Sequence, residues 1–188
     1  MPPTLPLPPS PVAQGTGNGW LWVIYSDGTV DNSYAPGFLM SDTDFQSIRA
    51  GGTTLVGSGQ TSAFVTHGTE NQVLNGSCSL TVLTGAAPSP TWSGSFNMAN
   101  GPGNSLGFQA GGIVVTSGQL AMNSLSGYSL VINGLGFDSA TLTSQQLVNS
   151  FLVGPGGPIA SGAHGHFFFA HGPSGDPKVD VMFGVNFP

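Results

Sequence analysis

Charged side chains are scarce in this sequence. Lysine and arginine together number 2 and aspartate and glutamate 8, so 5% of the 188 residues are charged, against about 25% in an average soluble protein. The formal net charge is −6, which leaves no basic patch for DNA, RNA or an anionic membrane surface. We therefore expect no nucleic-acid partner, and a surface hydrated by Gly, Ser, Thr, Asn and Gln.

Cysteine and long apolar runs are scarce as well. Cys78 is the only cysteine, so the sequence predicts neither an internal disulfide nor a Cys-x-x-Cys zinc motif. We expect Cys78 to be a small buried hydrophobic side chain within a strand. No apolar run approaches the about 20 residues that span a bilayer as a helix, so we expect no transmembrane helix and no metal centre.

Catalytic motifs are also missing. There is no Gly-x-Ser-x-Gly elbow. The closely spaced acids are Asp27 with Asp31, which bracket a turn, and Asp42 with Asp44, which begin a helix, so solvated structural roles explain both pairs. A Gly-x-Gly-x-Gly run at residues 15–19 precedes a strand, whereas phosphate-binding loops follow a strand and begin a helix. We therefore predict that the protein is not an enzyme.

The residues that are present favour a β fold. Short runs of β-branched and aromatic residues alternate with turn clusters at even spacing from Trp20 onward, which is typical of a sandwich or barrel. We predict an all-β fold, namely a single antiparallel β-barrel of about eight strands with one short helix and a Pro-rich N-terminal arm. The predicted strands lie near residues 20–25, 30–31, 34–40, 61–67, 78–84, 92–98, 113–116, 119–125, 128–133, 166–170 and 179–187.

Turns and helices have their own signals. Residues 26–28, 75–76, 117–118 and 126–127 are short polar pairs or triplets that end in Gly, which tolerates positive φ, and each predicts a turn. Residues 41–49 offer an N-cap, acids in the first turn and Phe45 and Ile48 at i, i+3, so they predict a short helix that ends before Gly51 and Gly52. Residues 139–152 predict a strand followed by a helical turn.

The chain divides into two parts on composition. Residues 1–18, rich in Pro and Gly, predict an arm or linker, and residues 19–188 predict the barrel domain. The arm packs on its own barrel or is held by a neighbouring copy, and positions 5 and 8, Leu5 and Pro8, are the predicted partner contacts. The opening residues have no basic or apolar signal region, so either a leader was removed or the protein is not exported by that route. Because low charge and abundant Ser, Thr, Asn and Gly resemble secreted bacterial surface proteins, we expect a secreted or bacterial cell-surface protein whose leader was removed.

Aromatic residues supply the predicted core. Seven of them, at even spacing, most simply alternate into the barrel interior. The consecutive Phe167, Phe168 and Phe169 break that alternation, so at least one ring must face outward, and we assign all three as candidate partner contacts. The seven predicted core aromatics are Trp20, Trp22, Tyr25, Phe38, Phe64, Trp92 and Phe96.

Two segments resemble a known family. Trp20-Leu21-Trp22 follows a Gly/Pro arm, and Gly165-His166-Phe167-Phe168 precedes a last strand, residues 181–185. This order is similar to the transferrin-binding-protein-like β-barrel domain of bacterial surface lipoproteins, hemophilins and FecR-associated C-terminal barrels, and the likeness covers residues 19–188. The resemblance implies an eight-stranded antiparallel barrel that binds a partner through its loops and has no catalytic centre.

Four histidines are the remaining candidates for chemistry. The spacing of His164 and His166 places both on one face of a strand, where such a pair can ligate a metal. The resemblance to hemophilins suggests instead that one of His164, His166 and His171 is an axial haem ligand. The alternative interpretation is that these histidines have structural roles only. We therefore expect no cofactor, with haem as the open alternative.

Three function classes follow from these features. The first is a non-catalytic extracellular β-barrel that makes protein–protein contacts, copies of itself included, with a filament or surface layer as one outcome. The second is a scavenger barrel that binds haem or a metal through the histidines near 164–171. The third is a carbohydrate-binding module, which would need exposed Trp20, Trp22 or Trp92.

Overall fold

The computed structural model describes residues 9–188, and the predicted all-β class is confirmed. Twelve strands and one helix make up the described part, with short 3₁₀ turns at Thr116–Gly118 and Ser139–Thr141. In chain order the elements are β1 (Pro11–Thr16), β2 (Trp20–Tyr25), β3 (Val30–Tyr34), α1 (Asp42–Gly51), β4 (Thr54–His67), β5 (Glu70–Leu83), β6 (Thr91–Ala99), β7 (Ser105–Val114), β8 (Leu120–Ile132), β9 (Leu135–Asp138), β10 (Leu142–Val153), β11 (Gly162–His171) and β12 (Lys178–Asn186).

Nine strands form one curled antiparallel sheet in the order β10-β11-β12-β4-β5-β6-β7-β8-β9. The curl makes a half-barrel whose two ends approach where β8 begins, through a single bridge between Gln119 and Phe151. The strand count is nine, against the about eight predicted, and the barrel is not sealed. A four-residue β9 at one edge is too short to extend the ladder towards β10.

Alternation along each strand builds the interior of this half-barrel. In β5, Leu74, Cys78, Leu80 and Val82 are buried while the residues between them face outward, as the period of two requires. The aromatic centre of the core stacks Phe96 on Phe108, with ring centroids 4.8 Å apart. Cys78 is buried in this core as predicted.

Helix α1 packs against the same core, and its prediction is confirmed. Ser41 is the N-cap, and its Oγ accepts a hydrogen bond from the Asp44 amide at 3.1 Å. Phe45 and Ile48 are buried in the main core. Gly52 ends the helix at φ 64°, a left-handed conformation that glycine adopts without steric cost.

Strands β1, β2 and β3 form a separate small sheet that covers part of the outer face of the large sheet. Trp20, Trp22 and Ile24 are buried against Phe64 of β4 and Met182 of β12, which alternate with the inward residues of those strands. The structure thus corrects the prediction that these tryptophans and Phe64 fill the barrel. They form a second core on its outside, because both faces are covered along β12 and along residues 61–65 of β4.

The predicted arm is partly a strand. Residues Pro11–Thr16 pair antiparallel with β2, so this portion packs on the chain's own body, one of the two alternatives above. Residues 1–8, with the predicted contacts Leu5 and Pro8, lie outside the described residues.

Four local predictions were wrong. Residues 35–40 are not a strand, because β3 ends at Tyr34 and a turn follows with Gly37 at φ 81°. Residues 75–76 and 126–127 lie within β5 and β8 instead of in turns. In residues 139–152 the order is reversed, because the helical turn Ser139–Thr141 comes before the strand.

Candidate binding surface

The outer face of β5 to β8 is lined by small polar side chains. The register aligns Ser79 with Ser95, Ser95 with Gln109, and Gln109 with Ser126, so one row crosses four strands. We call this region the bare face, because the small sheet does not cover it. Its outward polar and glycine residues are Asn75, Ser77, Ser79, Thr81, Ser93, Ser95, Asn97, Ser105, Gly107, Gln109, Gly111, Ser124, Ser126 and Ser129, and the exposed Leu83 adds an apolar side chain at the end of β5.

The bare face carries no ionic charge. Every Asp, Glu, Lys, Arg and His of the chain lies outside residues 71–137, which contain β5 from its second residue through most of β9. The nearest acids along the chain are Glu70 and Asp138, at the two limits of this segment. A partner that approaches this face therefore meets dipoles of hydroxyl and amide groups and little electrostatic repulsion.

One groove indents the bare face, and a second groove begins at its margin. The first has a volume of about 380 Å³, with Gly94, Gly111 and Gly112 among its lining residues and Ser and Thr hydroxyls around them. The second has a volume of about 600 Å³ and shares Ser79 with the first, but its other lining residues belong to β4, to Asn18 and to residues 186–188. Trp92 also lines the first groove but is held in place, because its Nε1 donates to the Ala121 carbonyl at 2.9 Å.

The hydroxyls of the bare face are available for contact. Among the described residues, two side chains of this face bond to each other only where Asn97 Nδ2 donates to Ser95 Oγ, at 3.4 Å. At the margin of this face, Asn75 Oδ1 accepts a hydrogen bond from Ser62 Oγ of β4 at 2.7 Å. The remaining serines are free to bond with water or with a partner that replaces water.

The histidines predicted as a group are divided between two faces of β11. His164 and His166 share the outer face, as their spacing predicts, while His171 points into the half-barrel. His166 Nε2 pairs with Asp180 Oδ1 at 2.7 Å. The three predicted ligands therefore do not converge on one haem or metal, and a role for any one of them in binding haem stays a prediction.

His164 is buried between the two sheets with 1% of its surface exposed. Its Nδ1 lies 3.2 Å from Asn32 Nδ2 of β3. Burial lowers the pKa of His164 to about 4, because a charged imidazolium loses its hydration there. The ring is therefore neutral near pH 7.

His171 belongs to a polar cluster inside the half-barrel. Its Nε2 lies 2.8 Å from the Tyr128 hydroxyl, and its Nδ1 lies 2.8 Å from Thr141 Oγ1. Burial lowers the pKa of His171, and the charge of Asp138 acts in the opposite direction. Burial also raises the pKa of Tyr128.

Burial acts on the single cysteine in the same way, and raises the pKa of the Cys78 thiol to about 12. The cysteine is thus a neutral thiol, unsuited to nucleophilic chemistry.

The aromatic predictions need two corrections. Phe167 and Phe169 are fully buried in the main core, so they cannot contact a partner, whereas Phe168 is half-buried on the outer face. Alternation along β11 explains this pattern, since its odd-numbered rings point inward. The three tryptophans are at most 3% exposed, which removes the exposed tryptophan that a carbohydrate-binding module would have needed.

Residues 9–188 form neither a metal-ligand cluster nor a membrane-spanning helix. No group of three or more His, Cys, Asp or Glu side chains in that range is placed to hold a metal ion. In the same range, no helix is both long and apolar enough to cross a membrane. The bare face is therefore the most extensive candidate site, and the signal that identifies it in the sequence is the segment 71–137 without a single Asp, Glu, Lys, Arg or His.

No family model matches this chain, and no curated protein matches it in sequence. The resemblance to transferrin-binding-protein-like barrels therefore stays a prediction, and the argument for function rests on the surface itself.

Proposed function

We propose that this chain is a non-catalytic binding protein that associates with copies of itself through the bare face of β5 to β8. The observation that carries the proposal is the absence of charge from an outer face built of hydroxyl and amide side chains. Like charges normally keep soluble proteins apart, and at this face that repulsion is small.

The distribution of charge favours another copy as the partner. The net charge of −6 arises entirely from residues outside 71–137, so two copies repel each other least when their bare faces meet. A basic partner would instead be drawn to the acidic regions. The grooves beside Ser79 provide relief into which a second surface can fit.

Location outside the cell fits the same composition. Hydration by Ser, Thr, Asn and Gly with 2 basic residues in the whole chain resembles secreted bacterial surface proteins. Two bare faces that meet form a closed dimer, so a filament or a surface layer would require a second contact, such as the predicted one at Leu5 and Pro8.

The test inserts the same charge at two exposed glutamines. Gln109 lies in the first groove of the bare face, and Gln46 is exposed on α1. We expect Gln109→Lys to weaken self-association at least tenfold in analytical ultracentrifugation, because a lysine in the contact must lose its hydration. Gln46→Lys should associate as the parent chain does. Electron microscopy of concentrated protein then separates filaments or layers from closed oligomers.

Two results would contradict the proposal. One is a parent chain that stays monomeric at millimolar concentration, and the other is equal association of the two lysine variants. Deleting residues 1–8 tests the separate contribution of Leu5 and Pro8, because this deletion leaves the β1–β2 ladder intact. Association that depends on residues 1–8 and not on Gln109 would assign the contact to the arm.

A further inference from the structure

Strand β3 is paired with β2 by its backbone and packs Val30 on the second core, but its side-chain hydrogen bonds to the large sheet all come from Asn32. Asn32 Nδ2 donates to the Asn149 carbonyl of β10 at 2.8 Å and lies 3.2 Å from His164 Nδ1 of β11. Within residues 9–188, these are the side-chain hydrogen bonds that join β3 to the large sheet. Strand β2 is anchored independently, since Trp20 Nε1 donates to the Val185 carbonyl at 3.0 Å.

The contact with Asn32 determines the tautomer of His164. An amide NH₂ group only donates, so His164 Nδ1 must accept and the ring proton resides on Nε2. That Nε2 is buried without a hydrogen-bond partner in the described residues. The ring lies near those of Tyr34 and Phe151, with centroids 6.2 and 6.5 Å away, so its surroundings are aromatic and offer no compensating charge.

A second proton on His164 is incompatible with this arrangement. It would sit on Nδ1 and point at the Asn32 amide, so that two donors would face each other and the hydrogen bond would be lost. It would also place a positive charge in a buried site, where burial lowers the pKa of the ring to about 4. A buried charge without a partner costs several kcal/mol, which the ring avoids if β3 moves away and water enters.

The charged groups around His164 do not offset this cost. Strand β10 has no titratable residue, and β2 contributes only Tyr25. Asp31 of β3 is exposed, and Asp180 of β12 is paired with His166. Lys178 of β12 and His171 of β11 lie towards the far end of their strands from His164 in the ladder register.

We propose that the His164–Asn32 contact is an acid-sensitive latch that holds β3 on the outer face of the large sheet and opens when His164 takes up a proton. Opening exposes the His164 ring to water and frees the Asn149 carbonyl, while Trp20 keeps β2 in place. The latch is independent of the bare face, which lies on other strands.

The direction of the pH effect follows from the two states of the ring. Closed, its pKa is about 4, and open to water it returns towards the ordinary 6.5. The latch is therefore fully closed above pH 6.5 and weakens as the pH falls from 6.5 towards 4. Linkage permits an increase in the opening equilibrium of up to about 100-fold between pH 7 and pH 4.

Hydrogen exchange of the full chain tests the proposal. After correction for intrinsic rates, we expect the amides of Val30–Tyr34 to lose at least tenfold protection between pH 7 and pH 4, while those of β5 to β7 keep theirs. In His164→Gln, whose amide oxygen can accept from Asn32 and does not titrate, the pH response should fall below twofold. The control His166→Gln, on the same strand and face, should respond as the parent chain does.

A second variant and a spectroscopic measurement keep the proposal falsifiable if His164→Gln folds poorly. Asn32→Ala should already show the reduced β3 protection at pH 7, with no further loss in acid. In ¹⁵N NMR spectra, the His164 ring should show the Nε2–H tautomer and titrate well below pH 6. A ring that titrates near 6.5, or β3 protection that is equal at both pH values, would refute the latch.

Discussion

The outer face of the large sheet has two parts that differ in their side chains and in what covers them. On β4 and β12 it carries Phe64 and Met182, which are buried under the small sheet. On β5 to β8 it carries Ser, Thr, Asn, Gln and Gly, and the small sheet leaves it open. The strands belong to one ladder, so backbone geometry does not explain the difference.

Side-chain size and polarity at alternate outward positions explain which part is covered. A large apolar side chain gains about 25 cal/mol for each Å² that it removes from water, so Phe64 and Met182 favour a second layer. A serine gains little from burial and must keep a hydrogen-bond partner. The comparison indicates that the bare face is stable in water as it is, and that any contact there must supply hydrogen bonds.

The largest effect is expected at the centre of the covered part. Trp20→Ala removes an indole that is 3% exposed and whose Nε1 bonds to Val185 and Asn186, so we expect a loss of about 3 to 5 kcal/mol in the free energy of unfolding. Urea denaturation measures it. The control Leu21→Ala, at the adjacent and outward-facing position, should change the free energy by less than about 1 kcal/mol.

A smaller effect should come from the glycine beneath that indole. A Cβ atom on Gly184 would overlap the benzene ring of Trp20, so we expect Gly184→Ala to lower the free energy of unfolding by about 1 to 3 kcal/mol. Gly136→Ala on β9 is the matched control, because a Cβ there meets no atom within 4 Å. Thermal unfolding compares the two variants. Equal midpoints would show that the indole is not packed on Gly184.

The smallest expected effect comes from replacing a serine by alanine, once in the covered part and once on the bare face. Ser62 on β4 is buried and bonds to Asn75 at 2.7 Å, so Ser62→Ala should cost about 1 kcal/mol. Ser93→Ala on the bare face should stay within about 0.5 kcal/mol of the parent chain. A cost at Ser93 as large as that at Ser62, in the same denaturation assay, would show that the bare face contributes to folding itself.

Local signals predicted much of the fold correctly. The cap, acids and spacing of residues 41–49 predict α1, because these interactions lie within one helix. Alternation predicts β6, the second half of β5 and most of β8, because one of their faces is buried and the other is in water, whereas all of β7 except its last two residues was missed. The small sheet was missed, since its β2 strand shows the same alternation whether Trp20 and Trp22 enter a barrel or cover one.

The candidate site was only partly predictable for a similar reason. The spacing of His164 and His166 indicates a shared face, but not which face, because β11 is buried on both sides along almost its whole length. Phe167 and Phe169 were assigned to a surface for the same reason. In such a strand polarity no longer distinguishes inside from outside.

The position of Trp20 sets an order of events during folding. Its partners Val185 and Asn186 lie 165 and 166 residues further along the chain, and contacts of such long range form late and slowly. The tryptophan-rich hairpin must therefore wait until β12 has joined its neighbours, with its apolar side exposed throughout.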